Sequence, residues 1–251
     1  MKSDEMNVLV ETLARGVGEL NLEITGGQLK KFEKYYCMLV ETNKRLNLTS
    51  VVDEREVALK HFVDSLTCLK AVSFEDGISL LDIGTGAGFP GLPLKICRPE
   101  IWVTLVESLE KRVSFLRKVI LELGLEKVTV LHVRAEELGH DKNHREKYDR
   151  VVARAVAELA VLAEYCMPAV KVGGYFLAMK GPKVDEEIEG ARRAMEILGG
   201  EIKKNINFKL PLMGDERNMV LIKKIRCTPE KYPRRMGVPL KKPLKLRKDL
   251  F

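Results

Sequence analysis

The residues best suited to chemistry lie together in one stretch, LLDIGTGAGFPG, residues 80–91. Gly84, Gly86 and Gly88 alternate there, an acid, Asp82, stands two residues before the first of them, and Phe89-Pro90 follows the last. Glycines at this density let the chain reverse with positive φ and let a ligand lie against bare backbone. Gly86-x-Gly88-x-x-Gly91 also fits the fingerprint of a dinucleotide site, which would make the chain an oxidoreductase. Two residues argue against a pyrophosphate: Asp82 would repel it, and Pro90 withholds an N–H that a phosphate cradle would use. S-adenosylmethionine, cationic and with an amino acid end, suits an acid at that place better. Glu107, 25 positions after Asp82, closes the next apolar run and is placed to accept both hydroxyls of a ribose.

These residues need a parallel sheet to hold them, and the pattern of the chain supplies one. Residues 79–83 read as a strand and 92–97 as a helix. Strand 102–106, helix 110–123 and strand 128–133 follow, with Arg134-Ala135-Glu136 at the third strand's tip, where an adenine edge would lie. Strand 148–153 delivers Arg154 to the same edge. Helix 159–170, strand 175–179 ending at Lys180-Gly181-Pro182, helix 184–198 and an antiparallel pair, 201–210 and 218–225, complete the alternation. Ligands of open α/β sheets bind outside the carboxyl ends of the strands, where Asp82, Gly84, Glu107, Ala135, Glu136, Arg154 and Lys180 fall.

A helical unit precedes the sheet. Met6, Leu9, Val10, Leu13, Val17 and Leu20 form one stripe; a second helix from about residue 25 turns Leu29, Phe32, Tyr36, Leu39, Val40 and Leu46 inward. A third opens at Asp53 with Glu56 three residues on and buries Val57, Phe62, Leu66 and Leu69. On it, His61, Asp64 and Ser65 share a face. A Ser-His-Asp hydrolase does not fit three residues on one helix with no nucleophile elbow. A wall of the cofactor pocket and a surface polar cluster both remain open for them. The expected organisation is a helical extension, 1–73, packed on an α/β domain that holds S-adenosylmethionine, 74–227, and a basic tail, 228–251.

Composition narrows the class. Among 251 residues 45% are hydrophobic, enough for a core, yet no apolar run approaches the roughly 20 residues of a membrane span. Acids in the N-terminal MKSDEMNVLVE argue against an export signal, so a cytoplasmic location is expected. Five scattered cysteines without a C-x-x-C pair read as free thiols, and the four histidines show no zinc spacing, His140 and His144 reading as exposed linker. Of the net charge of +7, six units fall in residues 228–251, where eight Lys and Arg meet two acids. Pro233, Pro239 and Pro243 make that tail extended rather than helical, and an extended polycation suits the phosphates of folded RNA. Val238, Leu240, Leu244 and Leu246 could instead anchor it to the sheet, while Tyr232 and Phe251 are the tail's aromatics available for base stacking.

With these residues lined up, the chain resembles the class I S-adenosylmethionine methyltransferases, and more narrowly the RsmG family, also called glucose-inhibited division protein B. The resemblance rests on NLTSV, HFVDSL, LLDIGTGAGFPGLPLKI, VESLEKRVSFL, RAEEL, ARAVAEL and the tail KYPRRMGVPLKKPL, which together run from about residue 47 to 244. It implies N7 methylation of one guanosine of 16S rRNA, with cofactor residues at Gly84, Phe89, Ala135, Glu136 and Arg154. Asp82, Gly86, Gly88 and Glu107 join them from the residue patterns. Asn47, Arg217, Arg234, Arg235, Lys241 and Lys242 are the expected RNA contacts, with Arg154 and Lys180 positioning the substrate. Guanine N7 carries a lone pair and no hydrogen, so attack on a sulfonium methyl needs in-line placement and no general base. No Asn/Asp-Pro-Pro-Tyr/Phe tip follows strand four, where Ala153-Arg154-Ala155-Val156 stands, and neither Cys97 nor Cys166 is placed as a C5 nucleophile. The expected enzyme is a monomer that binds no metal and no membrane. Its rivals are a methyltransferase of another RNA, a protein or a small molecule, and a non-catalytic RNA-binding assembly factor.

Overall fold

The protein is described by a computed structural model covering residues 8–154 and 157–245. Met6, Ala155, Val156, Leu246, Arg247, Lys248 and Phe251, singled out above, lie outside the described residues. Seven strands form one sheet: β1 (Ser79–Ile83), β2 (Trp102–Glu107), β3 (Val128–His132), β4 (Tyr148–Arg154), β5 (Val170–Lys180), β6 (Gly200–Lys209) and β7 (Glu216–Lys224). Their order is β3-β2-β1-β4-β5-β7-β6. The first five are parallel, and β7 runs antiparallel between β5 and β6. Because β7 is reversed, its first residues join the carboxyl edge: Asn218 pairs with Lys180, and Arg217 lies beside it.

The period of two sorts the core into two layers. Leu80, Leu105, Val152, Leu177, Met179, Met219 and Leu221 face one side; Leu81, Ile83, Val106, Val151, Ala153, Phe176, Ala178, Val220 and Ile222 face the other. The first side is covered by α1 (Val8–Glu19), α2 (Gly26–Leu46) and the helical run that follows. Thr25 and Gln28 form a reciprocal capping box that starts α2, and Asn47, in the left-handed conformation at φ 47°, ends it. Within α2 it is Tyr35, not the expected Tyr36, that is fully buried. The spacing Phe32, Tyr35, Leu39 forms the inner stripe, whereas the Tyr36 hydroxyl reaches out to the Val52 carbonyl.

The third helix is not uniform. Asp53 caps α3 (Glu54–Val57), and the chain then widens into a π-helical segment, Ala58–Val63, before α4 (Asp64–Leu66) and α5 (Cys68–Ala71). Such widened turns are frequent at functional sites, and this one carries Lys60 and His61 with Asp64 directly after it. Next come α6 (Gly91–Cys97), α7 (Glu110–Glu122) and the single turn α8 (Ala135–Leu138). The far side of the sheet is covered by α9 (Leu159–Cys166) and α10 (Asp185–Leu198). The expected helix 159–170 is therefore cut short: Pro168 lacks the N–H that would continue it, and Val170 already pairs with Tyr148 as the start of β5.

The tail is neither free nor wholly extended. Arg145 donates to the carbonyls of Gly139, Tyr232, Thr228 and Pro229, and His140 bonds the Pro233 carbonyl. Of His140 and His144, expected in an exposed linker, His140 is exposed yet part of the dock, while half-buried His144 meets the Tyr148 hydroxyl at 2.7 Å. Tyr232 is buried, not offered for base stacking. Arg234 grips the fully buried Glu164 with its backbone N–H and its guanidinium, Nε to Oε1 at 2.8 Å and Nη2 to Oε2 at 2.6 Å. A short helix, α11 (Val238–Lys241), follows because Pro239 at its start has no N–H to lose. Truncating Arg234 leaves a carboxylate buried without its partner, so Arg234→Ala is expected to lower unfolding free energy by about 3–5 kcal/mol. Exposed Arg235→Ala should stay within about 0.5 kcal/mol. Urea denaturation of the two variants checks this; equal stabilities would mean that the tail does not dock.

Candidate functional site

The glycine turn is built by Asp82. Its Oδ2 accepts from the Thr85 hydroxyl at 2.6 Å and from the Gly91 N–H at 2.8 Å, closing the loop onto the first residue of α6. Its Oδ1 is buried and has no hydrogen-bond partner among the described residues. Burial pushes the carboxyl up to about 6, the Thr85 and Gly91 bonds pulling in the opposite direction. Glu107 accepts from the N–H groups of Ser108 and Leu109 through Oε1 and from Gly86 N–H, at 3.1 Å, through Oε2. The second acid thus holds the open end of the same loop.

The glycines divide their work. Gly84, Gly86 and Gly88 all have positive φ, at 70°, 61° and 107°. A Cβ on Gly86 would meet nothing within 4 Å, so this residue faces open space. A Cβ on Gly88 would lie 2.5 Å from the Tyr35 hydroxyl and from Leu92, and one on Gly91 2.5 Å from Leu105. Gly88, expected in the cofactor site, instead lets α2 approach the loop, and the Tyr35 hydroxyl donates to the Ala87 carbonyl there. Phe89 is turned inward too. It stacks on His61 with ring centroids 4.6 Å apart and on Tyr35 at 5.5 Å, and the Arg154 guanidinium covers it at 5.0 Å.

Two cavities open at the carboxyl edge. The smaller, about 170 Å³, lies over the tips of β1, β2 and β3 and is lined by Gly84, Glu107, Ser108, Ala135, Glu136 and Tyr165. The larger, about 380 Å³, lies over β4, β5 and the start of β7, with Lys60, His61, Asp64, Arg154, Lys180 and Arg217 in its wall. Asp64 Oδ2 takes a hydrogen bond from Arg154 Nη1 at 3.1 Å; Arg154 also donates to the Lys60 carbonyl. Arg217 Nε stands 3.3 Å from Asp64 Oδ1. Burial raises the Asp64 carboxyl, while Arg154 and Arg217 draw it back. His61 sits between the Thr49 hydroxyl, 2.8 Å away, and the Lys60 carbonyl; burial and the nearby Arg154 lower it to about 4. Ser65 donates to the His61 carbonyl, not to the imidazole, and is fully buried; His61 and Asp64 line the larger cavity, so the trio is not a surface cluster.

The profile of the family described as "rRNA small subunit methyltransferase G" matches residues 28–220 of this chain. The chain belongs to that family. A protein named "Ribosomal RNA small subunit methyltransferase G" from Pelotomaculum thermopropionicum is 62% identical over 239 residues, which span 95% of this chain and 100% of the relative. Its namesake from Desulforamulus reducens is 52% identical over the same shares. Among solved structures, a SAM dependent methyltransferase from Aquifex aeolicus superposes with a TM-score of 0.52 at 20% identity, covering 74% of this chain and 98% of that one. TrmN from Thermus thermophilus gives 0.52 at 19% identity, with 65% and 48% covered. The fold is that of the class I methyltransferases, and the cofactor of this methyltransferase G family chain is S-adenosylmethionine.

The residues of the site fit that group. Asp82 Oδ1 is a bare buried acceptor, Gly86 leaves room, and Glu107, Ala135 and Glu136 converge on one cavity. Arg154 lines the larger cavity, apart from them, as do Lys180 and Arg217. Lys180 is already held by the Ala157 carbonyl at 2.8 Å and by Glu187 at 2.6 Å. Arg235, Lys241 and Lys242 are exposed, Asn47 is exposed at the end of α2, and Arg234 is consumed by Glu164. Asp64 and Tyr165 complete the two walls, and Tyr35 packs behind the glycine turn. Tyr35 and Tyr165 gave no signal in a helical stripe, whereas Asp64 stood in a polar triplet that periodicity alone could not orient.

Asp82 carries a pH signature. Its folded-state value of about 6 lies above the ordinary carboxylate range, so the charged form strains the ligand-free fold. The penalty is absent below about pH 4 and complete above about pH 6, amounting to about 3 kcal/mol at 1.36 kcal/mol per unit. Asp82→Asn removes that titration. Its stability relative to the unsubstituted protein should therefore improve by about 3 kcal/mol between pH 4 and pH 7, measured by denaturant unfolding without cofactor. A difference that stays flat across this range would show that Asp82 keeps an ordinary carboxyl.

Proposed function

We propose that this chain methylates N7 of a single guanosine in the 16S rRNA of the small ribosomal subunit or its precursor, in line and without a general base. S-adenosylmethionine, when bound, supplies an electrophilic methyl group. Glu107 would accept from the ribose hydroxyls, Ala135 and Glu136 would border the adenine, and Asp82 Oδ1 would face the amino acid end. The observation that carries the reading is the composition of the larger cavity. Three strand-edge cations, Arg154, Lys180 and Arg217, surround a space of about 380 Å³, within the roughly 300–1,000 Å³ of small-ligand sites.

The titratable groups of its wall each have at least one partner. His61 is held neutral far below neutral pH, Asp64 is paired with Arg154, and Glu187 takes Lys180 and the Leu159 N–H. A wall without a poised base supports an acceptor that has no proton to lose. Cys97 is pushed up to about 12 by burial, and Cys166 lies buried within α9, which disfavours thiol attack on a pyrimidine. Incubation with labelled cofactor and small-subunit rRNA, followed by mapping of the modified nucleotide, tests the assignment directly. Single-turnover rates should stay nearly flat from about pH 6.5 to 9. Label in protein instead of RNA, or a log-linear rise of rate with pH, would overturn it.

RNA affinity should come from the exposed cations of the tail rather than from Arg234. Deleting the tail would remove Tyr232 and the partner of Glu164 from the core, so single neutralisations are the sounder probe. Arg235→Gln, Lys241→Gln and Lys242→Gln should each reduce the salt slope of RNA binding by about 1 where the side chain meets a phosphate. Slopes identical to that of the unsubstituted protein in all three would place the RNA contacts on another surface.

A further inference from the structure

We propose that Asp64 reads the Watson–Crick edge of the target guanine, its carboxylate accepting from N1–H and the 2-amino group once Arg217 has been displaced. The inference rests on the guanosine reading above and names the group that makes the site select that base. Asp64 is 4% exposed in the wall of the larger cavity. One of its oxygens, Oδ2, accepts a single hydrogen bond, from Arg154, and the other, Oδ1, receives none from the described residues. Arg217 Nε lies at ion-pair distance, 3.3 Å, without the alignment of a hydrogen bond. A buried carboxylate oxygen left in that condition is a strong acceptor awaiting a donor.

The other polar groups of the wall have donors and acceptors matched. Lys60 pairs with Glu56, Lys180 with Glu187, and His61 with Thr49. Asn218 donates to the Gly181 carbonyl and accepts from Asn205. Arg217 is the wall residue with somewhere else to go. It is the second residue of β7, with Asp215 at 3.4 Å and the preceding Glu216 carbonyl at 3.0 Å within reach of its guanidinium. A guanidinium and the Watson–Crick edge of guanine both present adjacent in-plane N–H donors, the arrangement a carboxylate accepts in a paired fashion. Arg217 Nε therefore stands where a donor of the base would come in the ligand-free chain, and Arg154 stays hydrogen-bonded to the carboxylate when Arg217 leaves.

The same geometry rejects adenine, whose ring N1 would turn a lone pair toward Asp64 and leave the carboxylate unpaired. It also leaves the N7 and O6 edge on the far side of the base, clear of Asp64.

The test uses full-length protein and small-subunit rRNA in which the nucleotide methylated by the unsubstituted protein is replaced by inosine, which lacks only the 2-amino group. The unsubstituted protein should methylate the inosine RNA with kcat/KM lower by roughly 10- to 100-fold, the worth of a hydrogen bond to a charged group. In Asp64→Asn the guanosine-to-inosine ratio should shrink to within about 3-fold, with S-adenosylmethionine affinity kept. Where that variant turns over neither RNA, equilibrium binding of the two RNAs in the presence of S-adenosylhomocysteine reads the same ratio. Loss of a merely structural anchor would lower both substrates together and leave the ratio intact, which would overturn the proposal. Equal rates of the unsubstituted protein on guanosine and inosine would overturn it as well. No transfer to rRNA at all would remove the guanosine reading and this one together.

Discussion

A carboxylate with no access to water, Asp82, holds the glycine turn shut through one oxygen and keeps the other bare. Removing an ionised group from water is costly unless hydrogen bonds replace the lost hydration, and here the replacement is half complete. Thr85 and Gly91 satisfy Oδ2, which draws the start of α6 under the tip of β1. The path of the loop follows from that closure. Gly86 is left facing open space, and Gly88 is pressed against Tyr35, so the turn has one face for a ligand and one for the helical layer.

The helical layer is for this reason part of the site rather than an appendage. Phe89 leaves the turn inward, where Tyr35 and His61 stack on it and Arg154 lies across its face. Arg154 comes from the end of β4, yet its guanidinium is bound by the Lys60 carbonyl, on the widened part of the third helical run, and by Asp64, directly after it. The wall of the larger cavity is thus assembled from residues about ninety positions apart. Neither layer could shift without exposing Asp64 or uncovering Phe89.

The far end of the chain is secured by the same logic on the opposite side of the sheet. Glu164, fully buried in α9, is tolerable only because Arg234 supplies two parallel hydrogen bonds and a backbone N–H. Glu136, in the wall of the smaller cavity, accepts from the Gly237 N–H. One acid therefore touches both the cavity and the basic tail, and the segment carrying the positive charge is held beside the cofactor side of the sheet.

The alternation of apolar residues determined the sheet, its two faces and its parallel order, because a strand's period of two and a helix's of 3.6 are local properties of the chain. The glycine turn, Glu107 and the Ala135-Glu136 tip were legible for the same reason, since each follows its strand directly. Local pattern could not decide what depends on contacts between distant segments. It placed Tyr36 inward where packing chose Tyr35, ran a helix to residue 170 where β5 already pairs with β4, and left the tail extended where Arg145 and Glu164 bind it. Nor could it show that Arg234 pairs with Glu164 or that Gly88 abuts Tyr35, because composition does not record which charge will be paired or which missing side chain admits a helix. The place of Asp64 between Arg154 and Arg217 required the third helical run, β4 and β7 to meet, and a long-range ion pair leaves no mark on the sequence around any one of its members.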